Sequence, residues 1–180
     1  MRSEIIKHIG TCTNANCKCS SINEPFVETT AREVFIFDDD KEDKLQPCQL
    51  VGKDDKHQIT ILNKEKKPFT FVKIDACIIN DKEKRCDALV YNARQFYYVE
   101  IKDTTVKGRK QARKRAVKQL EATILRMKSV DFSGRELFAI HGFASPKSRI
   151  INVGSAINKV HFMEKYGVKL MEGHAIPLAY

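Results

Sequence analysis

The sequence lacks several features that would assign it to a specialised class of protein. It contains no Trp and only 8 Gly and 5 Pro among 180 residues, too few for a fibrous or low-complexity chain. No apolar run approaches the ~18 residues that a membrane span needs. The first residues, MRSEIIKHIGTC, lack the apolar stretch of a secretory signal. We therefore expect a cytoplasmic protein with no membrane partner, and 42% hydrophobic residues are enough for a folded core.

Acidic residues are also in short supply. Lys and Arg number 32 against 23 Asp and Glu, which leaves a net charge of +9. This excess favours a polyanionic partner, either nucleic acid or an acidic membrane surface. The imbalance is concentrated in residues 107–118 (KGRKQARKRAVK), which contain seven basic residues and no acidic one. Residues 38–43 (DDDKED) are the opposite case, and we predict a solvated acidic loop there.

Hydrophobic patterning after residue 60 predicts an α/β domain. Runs rich in β-branched and aromatic residues predict three strands that form an antiparallel meander, and an apolar stripe at steps of three and four predicts the helix that follows them. A further strand, an amphipathic helix ended by Gly167, and a last strand complete the pattern. We predict strands at 68–80, 85–92, 96–103, 135–143 and 168–171 and helices at 107–128 and 155–166. The division we expect is an irregular, Cys-bearing segment at 1–60 and an α/β core at 61–180.

Two carboxylates and a lysine on the second and third predicted strands suggest chemistry. Side chains alternate along a strand, so Glu100 and Lys102 project from one face, about 7 Å apart. A hairpin connection can bring Asp87 of the preceding strand beside Glu100. Converging carboxylates favour a divalent cation, and oxygen ligands favour Mg²⁺ or Mn²⁺. With Lys102 to stabilise developing negative charge, the pattern is typical of metal-assisted phosphodiester hydrolysis.

The arrangement Asp87…Glu100-Ile101-Lys102, on consecutive strands followed by a helix, resembles the PD-(D/E)xK nuclease superfamily, which includes restriction endonucleases and Holliday junction resolvases. The resemblance covers about residues 65–145 and implies an α-β-β-β-α-β core. It also implies that Asp87, Glu100 and the Ile101 carbonyl hold Mg²⁺ or Mn²⁺ while Lys102 is catalytic. Cys86 stands where the motif has Pro, and the Gln-x-x-x-Tyr motif of some subfamilies is absent. Because many such enzymes dimerise to cut both strands, the resemblance also admits a homodimer.

The basic run lies directly after Lys102, and we expect it to contact nucleic-acid phosphates without reading sequence. DNA is the favoured partner, and RNA is the alternative. The residues assigned to this contact are Lys107, Arg109, Lys110, Arg113 and Lys114.

The cysteines suggest a second metal. Cys12, Cys17 and Cys19 form a C-x4-C-x-C cluster suited to zinc, with Cys48, His8 or His57 as the fourth ligand. An iron–sulfur cluster and free or oxidisable thiols are the alternatives. Six cysteines in a cytoplasmic chain argue against a disulfide framework. Cys77 and Cys86 fall within predicted strands, and we expect them to be buried there as small apolar side chains.

Three other interpretations compete with the enzyme. Glu100 and Lys102 could form a surface pair on an exposed sheet face. The fold could bind nucleic acid without cutting it, or it could be a protein-interaction module that docks through residues 38–43. Tyr91, Tyr97 and Tyr98 could stack on unpaired bases, although we expect them in the core.

Overall fold

The protein is described by a computed structural model at residues 1–9, 25–39, 48–75, 77–78, 84–102, 108–143 and 154–180. These residues form three helices and ten strands. The helices are α1 (Arg2–Ile9), α2 (Arg109–Arg126) and α3 (Gly154–Tyr166). The strands are β1 (Phe26–Thr29), β2 (Glu33–Phe37), β3 (Gln49–Val51), β4 (Ile59–Leu62), β5 (Phe69–Lys73), β6 (Ala88–Tyr91), β7 (Gln95–Lys102), β8 (Glu136–Phe143), β9 (Val168–Glu172) and β10 (Ala175–Pro177).

Two mixed sheets organise these elements. The first has six strands in the order β1-β5-β6-β7-β8-β9, with antiparallel pairing from β1 to β7 and parallel pairing from β7 to β9. The second has four strands in the order β10-β4-β2-β3, and its only parallel pair within the described residues is β10 with β4. The prediction of a mixed α/β fold is confirmed.

Both faces of the six-stranded sheet are buried, and β7 shows how. Phe96 and Tyr98 pack in the apolar cluster formed with the helices, whereas Tyr97, Val99 and Ile101 pack in the cluster formed with the four-stranded sheet. The period-two alternation of a strand therefore sends successive side chains of one apolar run into two different cores. The helices form one layer, the six-stranded sheet the middle layer and the smaller sheet the third.

The predicted elements after residue 60 are confirmed, with shifted ends. β5 ends at Lys73 rather than near residue 80, and β6 begins at Ala88 rather than 85. The apolar stripe of α2 contributes Leu120 and Ile124 to the helix-side core. Helix α3 ends where predicted, because Gly167 adopts φ +66° and its N–H donates to the Met163 carbonyl.

The expectation of an irregular first third is wrong for its described residues. These residues form α1 and β1–β3, and β4 spans the predicted boundary at residue 60. β1 pairs with β5 in the large sheet, and β2 pairs with β4 in the small one. The patterns of these strands are short, three to five residues, which is why periodicity alone missed them. Asp38, expected in a solvated loop, is buried, and its N–H donates to the Gln58 amide oxygen.

The cysteine expectations are corrected in part. Cys77 and Cys86 are buried as expected, but neither lies in a strand. Cys77 is disulfide-bonded, so the argument against disulfides does not hold at this position. No helix among the described segments is both long and apolar enough to cross a membrane.

Candidate functional site: a buried carboxylate–lysine cluster

Two of the three predicted catalytic residues share one face of the six-stranded sheet. Glu100 and Lys102 lie on β7 in the same alternating set as Phe96 and Tyr98, so they face the helical layer beyond the end of the apolar core. Asp87 directly precedes β6, the antiparallel neighbour of β7. All three side chains are buried, Lys102 with 6% exposure. This burial excludes an exposed surface pair.

Asp87 is joined to the third strand by its side chain. The Ile101 N–H donates to Asp87 Oδ2 at 2.6 Å, and the Asp87 N–H donates to the Val99 carbonyl at 3.0 Å. The regular pairing of β6 with β7 ends at Ala88, and the Asp87 carboxylate accepts a further hydrogen bond from β7 just past that end. This contact brings Asp87 beside the Glu100-Ile101-Lys102 segment.

Glu100 and Lys102 are in direct contact. The Lys102 Nζ atom lies 2.6 Å from Glu100 Oε1, and both side chains are almost fully removed from water. In a buried ion pair of this kind each side chain needs the other, because the loss of either partner leaves an uncompensated charge in the protein interior. This contact confirms the expectation that the two side chains project from one face of the strand.

Two further ionisable residues continue the row across the sheet. His141 of β8 is the register partner of Glu100, and Glu172 of β9 is the register partner of His141. Directly paired residues of parallel strands point to the same face. Glu100, His141 and Glu172 therefore form a row across β7, β8 and β9 on the face that α2 covers, and Asp87 lies next to this row at the start of β6.

The environment of His141 keeps its ring neutral near pH 7. Burial lowers the pKa of His141 to about 4, although Glu172, with Oε2 3.8 Å from the His141 Nε2 atom, acts in the opposite direction. Its nearly complete burial suits a structural role within the sheet.

Sequence reasoning missed Glu172. Arg113 of α2 donates to both of its carboxylate oxygens, from Nε at 2.8 Å and from Nη2 at 2.7 Å. Burial alone would raise the pKa of Glu172, but the hydrogen bonds from Arg113 and the nearby positive charges together outweigh burial, and the pKa is lowered. The one available signal was an acidic residue directly after the predicted strand at 168–171, which the structure includes as the last residue of β9.

The basic helix divides into two faces. Lys110 and Lys114, two of the residues assigned to phosphate contact, are exposed. Arg109 and Arg113 are partly buried, and Arg113 is occupied by Glu172. Lys107 lies outside the described residues. Arg115 and Lys118 add two more exposed cations to the outer face.

The donors at the cluster fit a hard cation that shares its shell with substrate. Mg²⁺ is usually held in enzymes by one or two carboxylates together with water and substrate phosphates, and Asp87 and Glu100 supply two carboxylates. Among the residues that the structure describes, no group of three or more His, Cys, Asp or Glu side chains could form a complete metal cage. A cation at Glu100 would compete with Lys102 for the same carboxylate oxygen.

The predicted zinc site is only partly within the described chain. Cys12, Cys17 and Cys19 lie outside it. Cys48 is a free, buried thiol that donates to the Asp87 carbonyl oxygen at 3.3 Å. Burial, with the nearby charges of Asp38 and Asp87, raises its pKa and keeps the thiol protonated, whereas a zinc ligand would be a thiolate. In this arrangement Cys48 supports the backbone at Asp87.

Comparison with known proteins adds no assignment: no family model, no curated protein and no solved structure matches this chain.

Proposed function

We propose that this chain is a metal-dependent nuclease of the PD-(D/E)xK type, which hydrolyses phosphodiester bonds of nucleic acid, with DNA as the favoured substrate. The observation that carries the proposal is the Asp87–Ile101 hydrogen bond, because it brings Asp87 of the preceding strand connection beside the Glu100–Lys102 pair. The order β5-β6-β7-α2-β8 also agrees with the β-β-β-α-β part of the core that the resemblance implies.

The proposed roles follow from the chemistry of each group. Asp87 and Glu100, with the Ile101 carbonyl, would hold Mg²⁺ or Mn²⁺, which when bound lowers the pKa of water and neutralises phosphate charge. Lys102 lies beside Glu100, where its ammonium group can stabilise negative charge that builds on the phosphoryl oxygens. In the reaction, water attacks phosphorus and the bond to the leaving sugar oxygen breaks.

The exposed face of α2 provides a surface for the substrate backbone. Lys110, Lys114 and Lys118 recur every four residues, which places them about 6 Å apart along the helix axis. All three are exposed, and no acidic residue lies between them. Such a row can neutralise successive phosphates of a strand that enters beside Lys102.

A non-catalytic nucleic-acid-binding module is the second candidate, and one observation favours it. Lys102 already neutralises Glu100 in a buried contact, which is a stable arrangement without a metal. In this alternative the basic face of α2 binds nucleic acid and the carboxylate–lysine cluster only supports the fold.

Cleavage assays with a charge-matched control separate the two candidates. Supercoiled plasmid and a labelled single strand are incubated with the protein in Mg²⁺, Mn²⁺ or EDTA. We expect divalent-dependent cutting by the wild type and its loss in Lys102→Met and Glu100→Gln. Lys169→Met is the control, because Lys169 forms an exposed ion pair with Glu136. This variant should cut as the wild type does.

Binding is measured on the same variants to interpret a loss of cutting. Retained affinity in Lys102→Met, with folding checked by thermal unfolding, assigns the loss to chemistry. Binding by the wild type without any metal-dependent cutting would instead favour the non-catalytic module.

A further inference from the structure

Arg113 of α2 uses its charge inside the protein. Its side chain is 14% exposed and that of Glu172 is 24% exposed, and two hydrogen bonds of 2.7 and 2.8 Å join them. Planar, two-point contacts between guanidinium and carboxylate are among the strongest and most directional ion pairs in proteins. A guanidinium held in this way has little freedom to bind phosphate as well.

The contact joins two elements that are distant in the sequence. Arg113 lies in the second turn of α2, and Glu172 is the last residue of β9. Glu172 also belongs to the row of ionisable residues that runs from Glu100 through His141. The ion pair therefore fixes the start of α2 directly against the end of the sheet that carries the proposed active site.

Helix capping does not hold the start of α2 in place. Gly108 at its N-cap provides no side-chain cap, and the first turn contains no acidic residue to interact favourably with the helix dipole. The first buried residues of α2 are the small side chains of Ala112 and Ala116, and larger apolar side chains follow only from Val117 and Leu120. The ion pair of Arg113 adds a directional contact to the packing of these two alanines.

We infer that Arg113 and Glu172 form a clamp that positions Lys110 and Lys114 beside Lys102, and that Arg113 is a positioning residue rather than a phosphate ligand. The inference rests on the proposed function for its role in substrate binding. The clamp itself does not, because it can be measured without nucleic acid. In this assignment, Glu172 sets the orientation of the exposed face of α2 that carries Lys110 and Lys114.

Amide hydrogen exchange tests the clamp in the full chain. Glu172→Gln keeps the size of the side chain but removes its charge, and we expect protection in residues 109–116 to fall by roughly 5- to 30-fold. Glu136→Gln is the matched control: it breaks the Lys169–Glu136 pair, whose side chains are 51% and 61% exposed, and should change protection of α2 by less than about twofold. Unchanged protection of α2 in Glu172→Gln overturns the clamp.

A charge exchange tests the role of Arg113 in binding. The double variant Arg113→Glu with Glu172→Arg keeps the net charge and the ion pair but places a carboxylate at position 113. We expect it to restore amide protection of residues 109–116 relative to Arg113→Glu alone. We also expect its affinity for a duplex of two 20-nucleotide strands to lie within about threefold of the wild-type affinity. If Arg113 contacts phosphate itself, the double variant will lose affinity even though protection returns, and the assignment of Arg113 as a positioning residue is wrong.

The two failures can be told apart. A wild type that does not bind the duplex overturns the proposed function, and with it the role of the clamp in binding. Normal binding with no change of α2 exchange in Glu172→Gln overturns the clamp and leaves the proposed function standing.

Discussion

Acid should destabilise this protein through His141 in a way that can be measured and assigned. The side chain is 2% exposed and lies on β8 between Glu100 and Glu172, with Arg113 beyond Glu172. Burial lowers its pKa from 6.5 to about 4 in the folded protein. In the unfolded chain the ring takes up its proton near the ordinary value.

The sign follows from proton binding in the two states. Between pH 6.5 and 4 the unfolded chain binds more protons than the folded protein, so the free energy of unfolding falls as the pH falls through this window. For pKa values of 6.5 and about 4, lowering the pH from 7.5 to 4.5 removes about 2.5 kcal/mol. That is a large part of the total stability of an ordinary domain.

Urea unfolding at pH 7.5, 6.0 and 4.5 measures the effect. Carboxylates also titrate in this range, so the informative quantity is the difference between the wild type and His141→Gln. We expect the variant to lose about 2.5 kcal/mol less than the wild type over that interval. His174→Gln, at an exposed histidine, is the control and should follow the wild type. A difference below about 1 kcal/mol for His141→Gln would refute the reasoning.

Three further predictions concern stability. Gly142→Ala should lower the free energy of unfolding by about 1–3 kcal/mol in urea titrations, because the added Cβ would lie 2.7 Å from Ile59 Cγ1; with Ile59→Ala the two losses should be less than additive. Asp87→Ala should cost about 1–3 kcal/mol because it leaves a buried strand amide without its acceptor, whereas Asp87→Asn retains an oxygen there and should cost less. Asn92→Ala removes three hydrogen bonds, one of them to a carbonyl near the C-terminus, and should speed carboxypeptidase digestion of the last residues; an unchanged digestion rate would contradict this.

Local pattern was sufficient for most elements after residue 60. The apolar stripe of α2, the alternation in β7 and the positive φ at Gly167 each depend on residues within about one helical turn or one strand. The contact between Glu100 and Lys102 could be predicted for the same reason, because two residues separated by one on a strand share a face.

The four-stranded sheet could not be predicted in this way. Its strands have three to five residues, and β4 is joined to β10 across more than a hundred positions of chain. Segments this short have no reliable period of their own, so their state depends on the partner that covers them.

The sequence by itself therefore determined the order of strands and helices around the cluster and the pairing of Glu100 with Lys102. Only the tertiary structure decided that Glu172 lies in the same row and that Arg113 is engaged by it, since the two residues are joined through the register of β9 and the docking of α2. It also decided that Asp87 reaches the Ile101 amide. Such contacts depend on the relative placement of whole elements, and that placement is the outcome of packing both faces of the sheet at once.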